Sequence, residues 1–310
     1  MAGPKQILDE VGKAIVGKNN EIIMVLLAIL SRGHVLIEDI PGVGKTTMAL
    51  AFSKALALKY NRVQFNPDVL PSDITGFSVL DKNTGKMEYR DGAVLCNLFL
   101  ADELNRATSR TQSALLEAME EGQVTVDGVS HPVPKPFIVI ATQNPVGASG
   151  TSLLPDSQMD RFMVRISLGY PTPAQELEMI KRRQGGSLLD RVNQIETHAG
   201  LSRMCEEVEQ IYLSKPIMEY IVNLNNRTRN MSAILQGASP RASLAVTAMS
   251  KAAAWVQGRD YVIPEDVRLV YAPCVTHRLI LSPEAEGKGL KASAVVESLL
   301  NTVPAPKIRA

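Results

Sequence analysis

A short segment, Gly42-Val43-Gly44-Lys45-Thr46, combines two glycines with a lysine and a hydroxyl side chain. Glycine has no Cβ, so backbone N–H groups at such a loop can close around phosphate oxygens. Lys45 is expected to neutralise the β- and γ-phosphates of a nucleotide, and the Thr46 hydroxyl to bind Mg²⁺. Together with the flanking Pro41 and Thr47, the segment predicts a nucleotide-binding phosphate loop.

The surroundings of this loop favour that prediction over a plain turn. The apolar run Val35-Leu36-Ile37 indicates a buried strand before the loop, and a helical pattern begins near Lys45. Such a helix directs the positive end of its dipole at a bound phosphate. The usual motif has glycine where this chain has Asp39, but Pro41-Gly42 can still make the turn. The alternative is a glycine-rich connection with a surface lysine.

Two adjacent acids end another apolar run, Leu98-Phe99-Leu100-Ala101. Ligands bind at the carboxyl ends of the strands in open α/β sheets. Asp102 is expected to bind the water shell of Mg²⁺, and Glu103 to polarise the attacking water. The alternative, a buried strand that ends in two acids by chance, is weakened by Lys45 and Thr46 upstream.

Three further polar side chains have less specific patterns. Asn144 follows the predicted strand 137–142, so its amide could lie beside the γ-phosphate or simply form an Asn-Pro turn. Arg161 could belong to a surface ion pair with Asp160. Arg241 lies in the first turn of a predicted helix, where a cation opposes the dipole. An anionic ligand and plain solvation are both open for it.

A loop at Val16-Gly17 ends the first predicted helix, residues 5–15, and precedes a second at residues 20–32. This loop could flank the adenine of a nucleotide, or it could be a plain helix–helix turn. The residues alone leave both interpretations open.

The elements that must position these side chains fall into two groups. Predicted strands and helices alternate as far as Tyr170-Pro171-Thr172-Pro173, where the prolines end a strand. Helical periodicity continues beyond that point without further alternation. The pattern predicts an α/β nucleotide-binding domain over residues 1–170 and a helical domain over residues 171–310.

Smaller signals predict details inside the first domain. Residues 77–95 contain two extended stretches around a turn and look like an insertion. Asp127-Gly128 supplies the positive φ angles of a type I′ hairpin turn. Ser109 and Gln112 have the spacing of a capping box, which predicts that Ser109 caps a helix.

Composition limits the classes of function. The chain has 310 residues, is 45% apolar and has a net charge of +1, as expected for a soluble globular protein without a general affinity for nucleic acid. Its three cysteines are far apart and show no zinc-ligand spacing, which favours a reducing cytoplasm. Charged residues interrupt the N-terminus, so no signal peptide is expected, and no apolar run is long enough to predict a membrane segment.

Several longer segments resemble the MoxR family of AAA+ ATPases, and the resemblance covers residues from about 15 to 271. The segments that resemble the family are Glu38–Thr46, Gln64–Gly76, Leu100–Ala107, Gln112–Glu121, Ala141–Pro145, Asp160–Met163 and Gly237–Arg241. The tail after residue 275 shows no motif of the family.

The resemblance implies an α/β fold: a three-layer αβα nucleotide-binding domain followed by an all-α lid. In the family, this domain has an insert in the helix that the family numbers as helix 2, and a hairpin before the residue called sensor 1. It implies that Asn144 is similar to sensor 1, Arg241 to sensor 2, and Arg161 to the arginine finger that reaches a neighbouring subunit. It further implies ATP and Mg²⁺ as cofactors, a homo-oligomeric ring that is usually hexameric, protein clients, and a partner with a von Willebrand factor A domain.

Three functions are compatible with these residues. The first is an Mg²⁺-dependent ATPase that remodels partner proteins or assists their maturation. The second is the ATPase subunit of a metal-chelatase-type complex, which has the same inserts; the form of Gln112–Glu121 and Ala141–Pro145 favours the first. The third is a slow ATP-controlled binding switch, against which the intact Glu103 argues.

Overall fold

The computed structural model describes residues 3–40, 42–144, 154–184 and 186–307. The chain folds into two compact units. The first unit comprises Met1–Ile22, His34–Leu154 and Ser167–Ser202, and the second comprises Ile23–Gly33, Pro155–Ile166 and Arg203–Ala310. The predicted domain boundary between residues 170 and 171 stays a prediction.

The described helices and strands follow one another along the chain as predicted, with a few additions. The helices are α1 (Pro4–Gly12), α2 (Asn19–Leu30), α3 (Lys45–Ala55), α4 (Pro71–Thr75), α5 (Ser109–Glu121), α6 (Asp156–Met159), α7 (Pro173–Arg183), α8 (His198–Gln210), α9 (Lys215–Arg229), α10 (Pro240–Val256), α11 (Pro264–Val275), α12 (Pro283–Gly287) and α13 (Ala292–Thr302). The strands are β1 (Val35–Glu38), β2 (Tyr60–Gln64), β3 (Gly76–Leu80), β4 (Met87–Asp91), β5 (Leu98–Asp102), β6 (Gln123–Val126), β7 (Val129–Pro132), β8 (Ile138–Gln143), β9 (Val164–Ile166), β10 (Ile234–Gln236) and β11 (Ile280–Leu281).

A parallel sheet forms the centre of the first unit, with strands in the order β2-β5-β8-β1. Every residue of β5 and β8 is buried, as expected for parallel strands covered on both faces. The register pairs Gln64 with Asp102 and Glu38 with Gln143. The carboxyl ends of these strands therefore lie along one edge of the sheet. The α/β fold class predicted from the sequence is confirmed.

Two antiparallel hairpins are added to this sheet unit. One joins β3 to β4 inside the predicted insertion, and the other joins β6 to β7. Asp127 and Gly128 have φ angles of 50° and 77°, so the predicted type I′ turn is present. The rings of Tyr89 and His131 stack with centroids 3.6 Å apart, which links the two hairpins.

The predicted capping box at the start of α5 is wrong by one residue. Thr108, not Ser109, is the N-cap, and its hydroxyl accepts a hydrogen bond from the Thr111 N–H at 3.4 Å. The Gln112 amide is buried and instead donates to the carbonyls of Leu104 and Ala107, at 3.3 and 3.2 Å. Gln112 thereby holds the turn that follows Asp102 and Glu103, and with Thr108 as the N-cap it lies one residue beyond the capping-box position, which Thr111 occupies.

The second unit is mainly helical. Helices α9, α10 and α11 contribute side chains to one polar cluster, where the buried Tyr271 hydroxyl donates to Asn225 Oδ1 at 3.0 Å. Asn225 Nδ2 in turn donates to Ser243 Oγ at 2.7 Å. A short antiparallel pairing between β10 and β11 is an addition that the sequence did not predict.

The cysteines behave as buried apolar residues. All three are free, and burial raises the pKa of Cys96 to about 12, of Cys205 to about 11 and of Cys274 to about 12. Thiols with such raised pKa values are poor nucleophiles at neutral pH. Across the described part of the chain, every helix is too short or too polar to cross a lipid bilayer.

His34 is a buried neutral side chain next to the first strand of the sheet. Its Nδ1 accepts the N–H of Val139 at 3.0 Å, so Nε2 bears the proton and donates to the Met119 carbonyl at 3.2 Å. Burial lowers the pKa of His34 from 6.5 to about 4. The His34 imidazole is therefore neutral in the folded protein at neutral pH.

We expect mild acid to destabilise the protein through His34. Because the folded pKa is depressed, the stabilisation is present above pH 6.5 and is lost as the pH falls toward 4. Between pH 7 and pH 5 this loss is about 2 kcal/mol in the free energy of unfolding. Urea unfolding of wild type and His34→Gln at both pH values measures it. The buried His277 gives both proteins a shared acid sensitivity, so equal losses in the two would contradict the assignment to His34.

Candidate active site

The phosphate loop connects β1 to α3 through two residues with left-handed backbone. Gly42 has a φ of 86° and Gly44 a φ of 101°, conformations that favour glycine. Gly44 is the N-cap of α3, and no side chain caps that helix end. The N–H groups of Lys45, Thr46 and Thr47 in the first turn are therefore oriented as donors to an anion. Pro41, which was also predicted to bind nucleotide, lies outside the described residues.

The Lys45 ammonium is held in this loop by oxygen atoms of uncharged groups. Its Nζ donates to the Asp39 carbonyl at 2.7 Å and to Asn144 Oδ1 at 3.4 Å. Burial lowers the pKa of Lys45, and the negative charges of Asp39, Asp102 and Glu103 oppose that shift. A phosphate group would be a stronger partner for this ammonium than either oxygen.

Asp39, which replaces the usual glycine of the motif, has a structural role. Its Oδ2 accepts the N–H groups of Leu168 and Gly169 at 2.5 and 2.6 Å, and the hydroxyl of Ser167 at 3.1 Å. The carboxylate thus fixes the start of the phosphate loop to the segment that precedes α7. The substitution that departs from the motif therefore supports the loop.

Asp102 is oriented from both sides at the end of β5. Its Oδ1 accepts the Thr142 hydroxyl at 2.6 Å, and its Oδ2 accepts Arg62 Nη2 at 2.7 Å. Thr142 Oγ1 also accepts the N–H of Glu103 at 2.8 Å. Sequence reasoning missed both Thr142 and Arg62. Thr142 lies in the segment Ala141–Pro145, whereas Arg62 is placed here only by the pairing of β2 with β5.

Glu103 has an unusual backbone, with φ of 56° and ψ of 45°. This left-handed conformation is costly for a residue with a side chain and is common at functional sites. The carboxylate accepts Asn144 Nδ2 at 3.1 Å on Oε1 and Arg106 Nη1 at 2.7 Å on Oε2. The hydrogen bond from Arg106 is the main cause that lowers the pKa of Glu103.

Asn144 joins the phosphate loop to the acidic strand end. Its buried side chain receives the Lys45 ammonium on Oδ1 and donates through Nδ2 to Glu103. The structure therefore brings Lys45, Asn144, Glu103 and, through Thr142, Asp102 into one network. Their catalytic and metal-binding roles stay predictions, because a network of contacts does not by itself establish turnover.

The residues at this edge fit Mg²⁺ better than a metal that needs a complete protein cage. In the described ranges, His, Cys, Asp and Glu form no group of three or more that could hold a metal ion. Mg²⁺ binds through one or two protein oxygens, substrate phosphates and water. The Thr46 hydroxyl and the Asp102 carboxylate are such hard oxygen donors, so they would hold the ion together with a bound nucleotide.

The remaining predicted residues lie elsewhere. Gly17 has a φ of 71°, and its carbonyl accepts Gln175 Nε2 at 3.1 Å; the adenine contact predicted for Val16 and Gly17 stays a prediction. Arg161 and Arg241 belong to the second unit, where Arg161 follows α6 and Arg241 is the second residue of α10. Their predicted roles also stay predictions.

We expect Arg106→Gln to shift the acid limb of the pH–rate profile to higher pH. Arg106 lowers the pKa of Glu103, so its removal raises that pKa and Glu103 is protonated earlier as the pH falls. The measurement is kcat/KM for ATP hydrolysis from pH 8 down to the lowest pH at which both proteins stay folded, because kcat/KM reports the pKa values of the free protein. Arg110→Gln removes the same charge from α5 and is the matched control; a limb that moves equally in both variants would exclude a specific effect of Arg106.

Comparison with known proteins supports the predicted ATPase family and its lid. Residues 34–164 match the family described as "ATPase family associated with various cellular activities (AAA)", and residues 226–299 match an AAA lid domain. YeaC of Bacillus subtilis is 40% identical, with 96% of this chain and 93% of that protein covered. Chaperone MoxR1 of Mycobacterium tuberculosis is 38% identical over 97% of this chain and 82% of that protein.

A solved structure is similar along nearly the whole chain. It is the crystal structure of a provisionally assigned ATPase from Cytophaga hutchinsonii, 38% identical, with a TM-score of 0.90. The match covers 98% of this chain and 94% of that one. Both the sheet unit and the helical unit described above therefore have counterparts in one known protein.

Proposed function

Because the chain belongs to the MoxR family of AAA+ ATPases, we propose that it hydrolyses ATP with Mg²⁺ and uses the energy for chaperone-like remodelling or maturation of partner proteins. The main support is the network from Lys45 through Asn144 to Glu103, which places a cation, an amide and a carboxylate around the phosphate loop. Chaperone MoxR1, a relative along 97% of this chain, is named for the same kind of activity.

Each residue of the network has a distinct part in the proposed reaction. Lys45 and the N–H groups at the start of α3 bind the phosphates, and Asn144 orients the water next to the γ-phosphate. Glu103 accepts the proton of that water, and the hydrogen bond from Arg106 keeps its carboxylate ionised and ready to do so. Mg²⁺, held by Thr46 and Asp102, would supply charge neutralisation at the β- and γ-phosphates.

Arg161 and Arg241 complete the proposed mechanism. Arg161 stabilises charge on the γ-phosphoryl oxygens of a neighbouring subunit, and Arg241 responds to the γ-phosphate as sensor 2 does. This assignment needs a homo-oligomer, which we propose to be a hexameric ring in the cytoplasm. Client proteins are the proposed targets of the ring, and a protein with a von Willebrand factor A domain is the proposed partner that works with it.

Trapping experiments test the chaperone-like part of this proposal. Tagged Glu103→Gln protein is incubated in a cell lysate with ATP or with ADP, then cross-linked and purified. We expect partner and client proteins to be enriched with ATP, because a ring that does not hydrolyse ATP keeps its bound clients. Lys45→Ala is the control, because it shows which proteins bind independently of nucleotide. Recovery of the same proteins at equal levels from all three samples would contradict ATP-driven remodelling.

A further inference from the structure

Arg278 is a buried guanidinium inside the stretch that matches the AAA lid domain, in the part beyond residue 275 where the sequence alone showed no motif. The residue follows α11 in the second unit, and its side chain is 3% exposed. Nε donates to Asp160 Oδ1 at 2.7 Å, and Nη2 donates to the Asp160 carbonyl at 2.9 Å. The opposing charge of Asp160 offsets the cost of burying the guanidinium.

The same guanidinium also binds the backbone on the far side of Arg161. Nη2 donates to the Phe162 carbonyl at 2.8 Å, and Nη1 donates to the Met163 carbonyl at 3.2 Å and to the Cys274 carbonyl. His277 Nε2 donates to the Phe162 carbonyl as well, at 3.1 Å. The backbone is thus held at residue 160 and again at residues 162 and 163.

Arg161 lies between these anchored residues. The segment Asp160–Met163 follows the short helix α6 and belongs to no helix or strand itself. Its backbone conformation therefore depends on these tertiary contacts. A planar guanidinium with a fixed fork of donors can fix several carbonyls at once, which lysine does not do. We propose that Arg278 is a positioning residue that fixes the backbone on both sides of the half-buried Arg161 and thereby sets the direction of its side chain.

Asp160 extends this network to the other proposed arginine. Its two carboxylate oxygens accept the Ser239 hydroxyl at 3.0 and 3.1 Å. Ser239 is the N-cap residue of α10, whose first turn contains Arg241. One carboxylate therefore links the segment of Arg161 to the start of the helix of Arg241. This inference rests on the proposed function, because both arginines have their roles there.

A purely structural role for Arg278 predicts a different outcome from a positioning role. A structural role lowers thermal stability and lowers activity only in proportion to the unfolded fraction. A positioning role lowers kcat while the protein stays folded and ATP binding is retained, because the phosphate loop belongs to the other unit.

Arg278→Lys is the main test variant, and Arg259→Lys is its control. Arg259 forms a two-point ion pair with Asp266 in the same unit, at 2.7 and 2.5 Å, away from residues 160–163. We expect Arg278→Lys to lower kcat about 10- to 100-fold with ATP affinity nearly unchanged, since small misplacements of a reacting group have effects of that size. The control should keep most of its kcat at a similar loss of melting temperature.

Mixing experiments separate this inference from the proposed function. Arg278→Lys subunits mixed with Glu103→Gln subunits should regain activity if Arg278 acts through Arg161 on the neighbour. If Arg161→Ala retains wild-type activity in the same assay, the trans role in the proposed function fails. If Arg161→Ala is inactive but Arg278→Lys and Arg259→Lys have equal kcat per folded ring, the positioning role of Arg278 fails alone.

A milder variant covers the case in which Arg278→Lys does not fold. Asp160→Asn keeps the size of the side chain and removes the charge that faces Arg278 and Ser239. We expect it to lower kcat and to regain activity in the same mixture with Glu103→Gln. A folded Asp160→Asn ring with wild-type kcat would overturn the proposed network.

Discussion

Glu103→Gln is expected to lower kcat for ATP hydrolysis by about 100-fold or more, since general-base catalysis contributes on that scale. The amide fills the same space as the carboxylate but cannot accept the proton of the attacking water. Affinity for ATP should stay nearly unchanged, because Lys45 and the first turn of α3 provide the phosphate contacts. Steady-state turnover and equilibrium binding of a fluorescent ATP analogue measure the two quantities separately.

Lys45→Ala is the matched variant with the opposite expectation. It removes the ammonium from the phosphate loop, and a charge-assisted hydrogen bond of this kind corresponds to about tenfold or more in affinity. The two variants should therefore divide binding from hydrolysis. Equal loss of ATP affinity in both would show that Glu103 supports the loop rather than the water, and the assignment would fail.

The sequence was sufficient for the parts of the site that depend on strand order. Apolar runs that precede Asp102 and, one residue further off, Asn144 predicted buried strands, and the strands of such a sheet place their carboxyl ends along one edge. The contact of Asn144 with Glu103 follows from that arrangement. The type I′ turn at Asp127-Gly128 was predictable for a local reason, since two adjacent residues determine its backbone.

The sequence was insufficient where a side chain is held by residues distant along the chain. Thr142 and Arg62 orient Asp102 through pairings of β5 with β8 and with β2, which no local pattern encodes. The left-handed backbone of Glu103 is likewise imposed by its surroundings. Gln112 matched a capping motif, yet tertiary contacts assigned its amide to two carbonyls instead.

The interpretation of Asp160 changed for a similar reason. The sequence offered a surface ion pair with its neighbour Arg161, whereas the partners of Asp160 in the structure include Arg278 and Ser239. Arg278 lies 118 positions away along the chain. Only the packing of the second unit brings these residues together, so no local sequence pattern around Arg278 could predict its contact with Asp160.

Arg161→Ala is expected to lower ATP hydrolysis by about 10³-fold or more, which is the effect of an arginine finger in other nucleotide hydrolases. The network around Lys45, Asn144 and Glu103 supplies the phosphate cradle, the water-orienting amide and the base. Among the described residues of this network, Arg62 and Arg106 are paired with Asp102 and Glu103, so we expect Arg161 of a neighbouring subunit to supply the cation for the charge that develops on the γ-phosphoryl oxygens. A side chain of a neighbouring subunit can supply it only in an assembled ring.

The decisive measurement mixes Arg161→Ala subunits with Glu103→Gln subunits, each inactive alone. Random assembly of equal amounts makes about a quarter of the head-to-tail interfaces combine an intact Glu103 with an intact Arg161 from the neighbour. Activity should therefore return in the mixture. The control is a mixture of Glu103→Gln subunits with subunits that have both Glu103→Gln and Arg161→Ala. It should stay inactive, because none of its sites retains the base. If verified mixed rings of the single variants stay as inactive as the control, Arg161 does not act in trans.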